Sequence, residues 1–168
     1  MLSEIIRLTL FPAMMAFAAS SDLLTMTIAN RVSLILIGGF VLLAALGGMT
    51  GADLLSHFGA AATVLAAGFL CFTFGWIGGG DAKLAAASAL WLGFGHLFDY
   101  LIYASILGGA LTLLIVKFRT WPLPQILVGR EWAERLHRDG CGIPYGIALA
   151  AAALIVYPQT DWMTLPGL

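Results

Sequence analysis

Six stretches of the chain carry no charged residue: 8–21, 32–52, 54–80, 84–98, 100–116 and 140–160. A helix that spans a bilayer needs about 20 mostly apolar residues, with roughly 17–25 the usual range. Three stretches meet that length outright. The other three do so when a terminal charged residue sits at the interface, as snorkelling side chains do. The pattern predicts an all-α fold: a polytopic membrane helix bundle of about six transmembrane helices, with residues 1–168 forming a single domain.

Punctuation between the stretches sets the expected boundaries. The first helix is expected over about Leu2 to Ser20, with Pro12 as a tolerated kink. Ala16-Phe17-Ala18 imitates a leader cleavage site, but Glu4 cancels Arg7 in what would be the basic region, so a membrane helix is expected. A polar connector from Ser20 to Arg31 follows, with Asn30 suited to cap a second helix from Val32 to Leu46. After a glycine-rich turn, Asp53 fits the cap of a third helix reaching about Trp76. Its small residues Gly59, Ala60, Ala62, Ala66, Ala67 and Gly68 suit close helix approach. A short fourth helix is expected from Ala82 to Phe94. His96 and Asp99 fall in the next turn, Asp99 capping a fifth helix to about Val116. Trp121-Pro122-Leu123-Pro124 blocks continuation, and Arg130 to Arg138 reads as a short amphipathic surface helix. Ile143 to Tyr157, opened by Pro144, makes the last helix, and the tail Pro158 to Leu168 places Trp162 at the interface.

Composition agrees with a membrane protein. The chain is 61% hydrophobic and 10% charged, with mean hydropathy +0.97; soluble domains are about 25% charged. The net charge of −1 says little about partners, and no basic patch of a nucleic-acid-binding kind is present. Cys71 and Cys141 form no CxxC, and His57, His96 and His137 are scattered over different loops, so neither a zinc site nor a disulfide framework is expected.

The position of the charges is more informative. When loops are counted alternately, Arg31, Lys83, Lys117, Arg119, Arg130, Arg135 and Arg138 share one side and Arg7 alone takes the other. The positive-inside rule makes the rich side cytoplasmic, including a loop at about 117–142. Two crossings separate Asp22 from Asp81, so both carboxylates are expected at the cytoplasmic boundary. Asp53, Asp99 and Asp161 are expected on the opposite face.

Asp81 directly follows Gly78, Gly79 and Gly80. One reading of this stretch is a flexible turn with Asp81 capping the next helix. The other is a bare backbone that lets a substrate chain approach a carboxylate. Asp22 ends a helix, where the macrodipole disfavours an anion, and caps nothing downstream. Two carboxylates in one site cannot both ionise cheaply, so they hold one proton between them. The ionised member can then take a proton from water while the other polarises a carbonyl. Paired carboxylates also serve proton-coupled transporters and channel subunits, but there they lie near mid-membrane beside broken helices. Lys83 reads either as a basic anchor or as a residue lining the site.

Gly78-x-Gly80-Asp81 resembles the GxGD signature of intramembrane aspartic proteases, and the longer run Gly78 to Leu84 resembles the second catalytic motif of the prepilin peptidases, the type 4 leader peptidases. Asp22 followed by Ile28-Ala29-Asn30 is similar to their first motif, with Ala29 in place of the usual proline. Pro144-Tyr145-Gly146 resembles a further segment. The length resembles the short form associated with Tad-type (Flp) pili, and the cysteine-rich insert of larger members is missing.

The resemblance implies an inner-membrane aspartic endopeptidase with Asp22 and Asp81 as catalytic residues and no cofactor or metal. Its implied partners are a type IV pilus prepilin and the lipid bilayer. Cleavage would follow a glycine between a basic leader and the prepilin's hydrophobic helix, at the cytoplasmic membrane boundary. Gly78, Gly79 and Gly80 would admit the extended substrate backbone, with Lys83, Asn30 and Tyr145 as further candidates for substrate contact.

Overall fold

The computed structural model describes residues 2–164, with side chains described over 4–163. Its helices are α1 (Leu2–Thr25), α2 (Asn30–Leu46), α3 (Gly51–Thr73), α4 (Gly79–Thr120), α5 (Glu131–His137), α6 (Gly146–Val156) and α7 (Asp161–Thr164), with single 3-10 turns at Gln125–Leu127 and Tyr157–Gln159. No strand occurs among the described residues. Such a chain satisfies its backbone groups within each segment, as a bilayer interior requires. Segments Glu4–Thr25, Gly51–Thr73 and Gly79–Thr120 are long and apolar enough to cross a membrane, while Asn30–Leu46 and Gly146–Gln159 are shorter apolar helices. Large apolar side chains such as Leu55, Phe69, Phe98, Ile106 and Leu113 point outward, as on a surface solvated by lipid.

The expected fourth and fifth helices are the two limbs of α4, and they meet at one residue. Gly93 has φ 65° and ψ 177°, far from helical values, in a region essentially reserved for glycine. Asp81 from the first limb and Thr112 and Arg119 from the second line the same cavity, so the limbs fold back on each other as a hairpin. A broken helix strands backbone groups on both sides of the break, and three side chains satisfy them. His57 Nδ1 donates to the Leu90 carbonyl at 2.7 Å, and Trp162 Nε1 donates to the Trp91 carbonyl at 2.7 Å. The Phe94 N–H donates to Ser56 Oγ at 3.2 Å. Asp99 therefore lies within the second limb and caps nothing, because helix resumes right after Gly93.

Other boundaries move for equally local reasons. α1 continues past Ser20 to Thr25, which shortens the connector to four residues, 26–29. Thr50, not Asp53, caps α3: its hydroxyl accepts the Asp53 N–H at 3.2 Å and donates to the Asp53 carboxylate at 2.6 Å, a side-chain N-cap. Ala29, not Asn30, occupies the cap position of α2. The last helix starts at Gly146, with Pro144 just outside it. Trp162 is buried and stacks near Trp91 instead of lying at an interface, because its N–H is needed at the Gly93 break. The remainder of the expected tail, 165–168, lies outside the described residues.

The core is aromatic at the end holding Gly93, where Phe11, Phe40, Trp91, Tyr157 and Trp162 pack together. Nearer the basic end it is made of small residues on the first limb of α4 and on α6, including Ala86, Ala87, Ala89, Ala150, Ala152 and Ala153. α3 packs on α4 through Ala60, Val64 and Gly68, spaced by four; a Cβ on Gly68 would lie 3.0 Å from that of Ala82. Ala62, Ala66 and Ala67 of the expected small-residue stripe face outward instead.

Gly93→Ala should destabilise the protein by about 1–3 kcal/mol from backbone strain, since its Cβ would also meet the His57 ring at 3.1 Å. Gly95→Ala, where a Cβ meets nothing within 4 Å, should be neutral or stabilise by up to about 1 kcal/mol. Thermal unfolding in detergent checks the pair, and equal shifts would contradict the capped-break account.

Candidate active site

Asp22 lies in the last turn of α1. Past Thr25, Met26 takes a left-handed φ of 56° and ends the helix, its N–H still bonding the Asp22 carbonyl at 2.8 Å. Arg135 from α5 donates to the exposed Leu24 carbonyl at 3.0 Å, so a cation occupies the negative end of the helix. The Asp22 side chain is only 5% exposed and accepts the Gly146 N–H at 2.7 Å. Its own helix disfavours an anion there, and the N-terminus of α6 compensates with a free amide donor and the positive end of a dipole. Only glycine fits at 146: a Cβ would come within 2.8 Å of Asp22 Oδ2 and 2.7 Å of Ile28 Cδ1.

Asp81 lies in the first turn of α4. Gly75, with φ 73°, reverses the chain after α3, and Gly78 takes the cap position with no side chain of its own. The Asp81 carboxylate reaches back to the Gly78 backbone N–H, the reciprocal half of a capping box. Asp81 thus has a structural contact, three residues inside the position that the capping reading of the sequence expected.

Ile28 brings the two aspartates together. It packs against the backbone at Gly80, where a Cβ would lie 3.3 Å from its own Cβ, and on its other side it meets Gly146. The ends of α1, α4 and α6 converge on this one side chain from the connector. Asp22 and Asp81 consequently lie within electrostatic reach of each other, although 59 positions (81 − 22) separate them in the sequence.

A cavity of about 690 Å³ opens beside Asp81, walled by Gly75 to Gly78, Thr112, Arg119, Cys141 to Ile143 and Tyr145. Arg119 braces its rim, donating to the carbonyls of Leu136 at 2.8 Å, Cys141 at 2.8 Å and Gly142 at 3.0 Å. This ties the end of α4 to the loop that leads into α6. The hydroxyl end of Tyr145 packs on Gly108, whose missing side chain makes the room, and the hydroxyl donates to the Ala104 carbonyl at 3.4 Å. Tyr100 is wholly buried, within electrostatic range of Asp81 and Tyr145 and close to Ser88, and its hydroxyl has no hydrogen-bond partner among the described residues.

The sequence-predicted residues therefore divide. Gly78 and Tyr145 share the cavity with Asp81. Gly80 is covered by Ile28, and a Cβ on Gly79 would meet the Phe72 ring at 3.5 Å. Lys83 and Asn30 bond each other at 2.9 Å and line a separate, mainly apolar groove of about 500 Å³ between α2, α3 and α4. Sequence reasoning gave no site role to Arg119, Ile28 or Gly146. Arg119 counted only as a basic loop charge, and Ile28 and Gly146 stood inside family-like segments without marking which aspartate they would touch. Among the described residues no group of three or more His, Cys, Asp or Glu is placed to hold a metal ion.

A helical bundle of membrane type with two carboxyl groups within electrostatic reach at one end, one of them on a cavity, is compatible with an aspartic peptidase. The sequence signature of the type IV leader peptidase family matches residues 9–113, well over half of the chain and both aspartates. The chain belongs to that family and is a membrane peptidase of the aspartic leader-peptidase kind. No curated protein and no solved structure matches it.

Gly146→Ala should lower peptidase activity about 100-fold, because the added Cβ displaces Asp22 by a fraction of an ångström to an ångström. Gly142→Ala, open within 4 Å on the cavity rim, should stay within a few-fold of wild type. A leader-peptide cleavage assay on the two variants, each checked for folding, tests the placement of Asp22.

Proposed function

We propose that this chain removes the basic leader from type IV prepilins of the Flp/Tad kind, using Asp22 and Asp81 as one dyad. The observation that carries this reading is the electrostatic proximity of the two carboxyl groups at the basic end of the bundle, Asp81 opening on a cavity of about 690 Å³. In the proposed reaction the ionised carboxylate takes a proton from water as the oxygen attacks the scissile carbonyl. The protonated partner donates a hydrogen bond to that carbonyl and then gives its proton to the leaving amine. One proton enters and leaves the pair per turnover, so no metal or organic cofactor is required.

The placement of charges supports an inner-membrane enzyme whose site faces the cytoplasm. Arg119, Arg130, Arg135 and Arg138 surround the end that carries Asp22 and Asp81, and Arg7 lies at the other. A prepilin leader stays on the cytoplasmic side while its apolar helix enters the bilayer, so its cleavage point falls at the level of the dyad. Gly78 and Tyr145 then contact the substrate backbone from the cavity wall. The Lys83–Asn30 pair lies off to one side, at the mouth of the apolar groove.

Asp22→Asn and Asp81→Asn should each abolish prepilin cleavage, and the double variant should be scarcely worse, because groups acting as a unit are strongly non-additive. Asn keeps an oxygen for the Gly146 and Gly78 N–H groups, so both proteins should fold. Asp53→Asn and Asp99→Asn should remain active. Prepilin cleavage by folded Asp81→Asn protein would falsify the dyad.

Orientation has its own check. In a variant lacking Cys71 and Cys141, single cysteines placed at 126 or 130 should resist a membrane-impermeant thiol reagent in intact cells and label after lysis. Labelling without lysis inverts the proposed topology.

A further inference from the structure

A second cavity, of about 300 Å³, lies at the opposite end of the bundle from the dyad. It is bounded by the start of α1, the turn between α2 and α3, the Gly93 break and the chain around α7; Arg7, His57, His96, Thr160 and Trp162 face it. Arg7 is the anomaly. It is only 6% exposed, and its Nε and Nη1 atoms are buried with no hydrogen-bond partner among the described residues. A guanidinium cannot shed its charge, and a buried cation without acceptors is strongly unfavourable. The residue is also held in place, because its carbonyl accepts the Tyr157 hydroxyl at 2.7 Å.

The carboxylates on the same wall do not resolve this. Asp53 is engaged with the Thr50 hydroxyl at 2.6 Å. Asp161 is exposed at the start of α7, and neither bonds the two stranded nitrogens. Most other donors facing the cavity are spent internally: His57 Nδ1 on Leu90, the Thr160 hydroxyl on Tyr157 and the Trp162 indole on Trp91. The unspent donors include Nε and Nη1 of Arg7. Pockets for small ligands begin at about 300 Å³, so a tetrahedral oxyanion fits with room for water or an ester substituent.

The geometry points to this cavity as a binding site for a phosphate group, taken through charge-assisted hydrogen bonds from Arg7. The chemistry is shared by free phosphate and by a phospholipid headgroup, the latter positioned where the helices end. The site is independent of the dyad, and its test does not read cleavage.

The test is calorimetric titration of delipidated protein in non-ionic detergent with three probes: inorganic phosphate, a short-chain phosphatidylglycerol and the matching diacylglycerol. Wild type should bind at least one phosphate-bearing probe and not the diacylglycerol. Binding of the lipid alone identifies a headgroup site, and binding of inorganic phosphate identifies a free-anion site. In either case Arg7→Gln should weaken the affinity at least about tenfold. Where Arg7→Gln does not fold, Arg7→Lys replaces it; with the charge kept and the guanidinium donors lost, it should bind several-fold more weakly. The proposal is overturned if no phosphate-bearing probe binds wild type, if the diacylglycerol binds equally well, or if the Arg7 variant that folds binds like wild type.

Discussion

The hydrogen bond from the Gly146 N–H to Asp22 is the constraint on which the candidate site depends. It joins residues 124 positions apart and places a carboxylate between two helix ends with opposite electrostatic effects. The C-terminal end of α1 disfavours an anion, while the N-terminal end of α6 supplies a donor and a favourable dipole. Arg135 offsets the exposed carbonyl at the end of α1, which leaves Asp22 free of a capping task. The bond is short because residue 146 has no side chain. Ile28 occupies the remaining space and presses on Gly80, so α4 enters at the same level with Asp81 in its first turn. Two glycines and one isoleucine thus set the separation of two acids that no local sequence rule relates.

The opposite end of the bundle depends on Gly93. Breaking a membrane helix at one residue leaves carbonyls and an N–H that lipid cannot satisfy. Ser56 and His57 from α3 and Trp162 from the far end of the chain satisfy them. This explains why α3, whose surface is mostly exposed, stays attached to α4, and why a tryptophan near the terminus is buried among Phe40 and Trp91. The hairpin returns the second limb toward the basic end, where Thr112 and Arg119 form the cavity wall facing Asp81. The stability of one end and the shape of the site at the other are therefore mechanically linked through a single glycine.

The two ends also differ in how their polar groups are satisfied. At the dyad end, each aspartate accepts a backbone N–H at a helix start, Gly146 for Asp22 and Gly78 for Asp81. Those bonds hold both acids at helix N-termini. At the Arg7 end no acceptor among the described residues meets the two buried guanidinium nitrogens.

Sequence alone determined the helical class and that Asp22 and Asp81 share one end of the bundle. Both depend on hydrophobic length and the order of the helices, quantities that do not require knowing which helices touch. It also carried the family resemblance, because the aspartates stand in short motifs with flanking glycines. Caps and breaks were less legible. Asp53, Asp99 and Asn30 each looked like a cap, and Thr50, Gly93 and Ala29 hold those roles or make them unnecessary, because capping is decided by backbone angles that several polar residues could serve. What only the tertiary structure decided was proximity. Gly146 beside Asp22, Ile28 between Gly80 and Gly146, Arg119 on the cavity rim, and Lys83 turned away toward Asn30 all follow from how helix ends meet in space. Contacts between residues tens to more than a hundred positions apart leave no periodic trace along the chain.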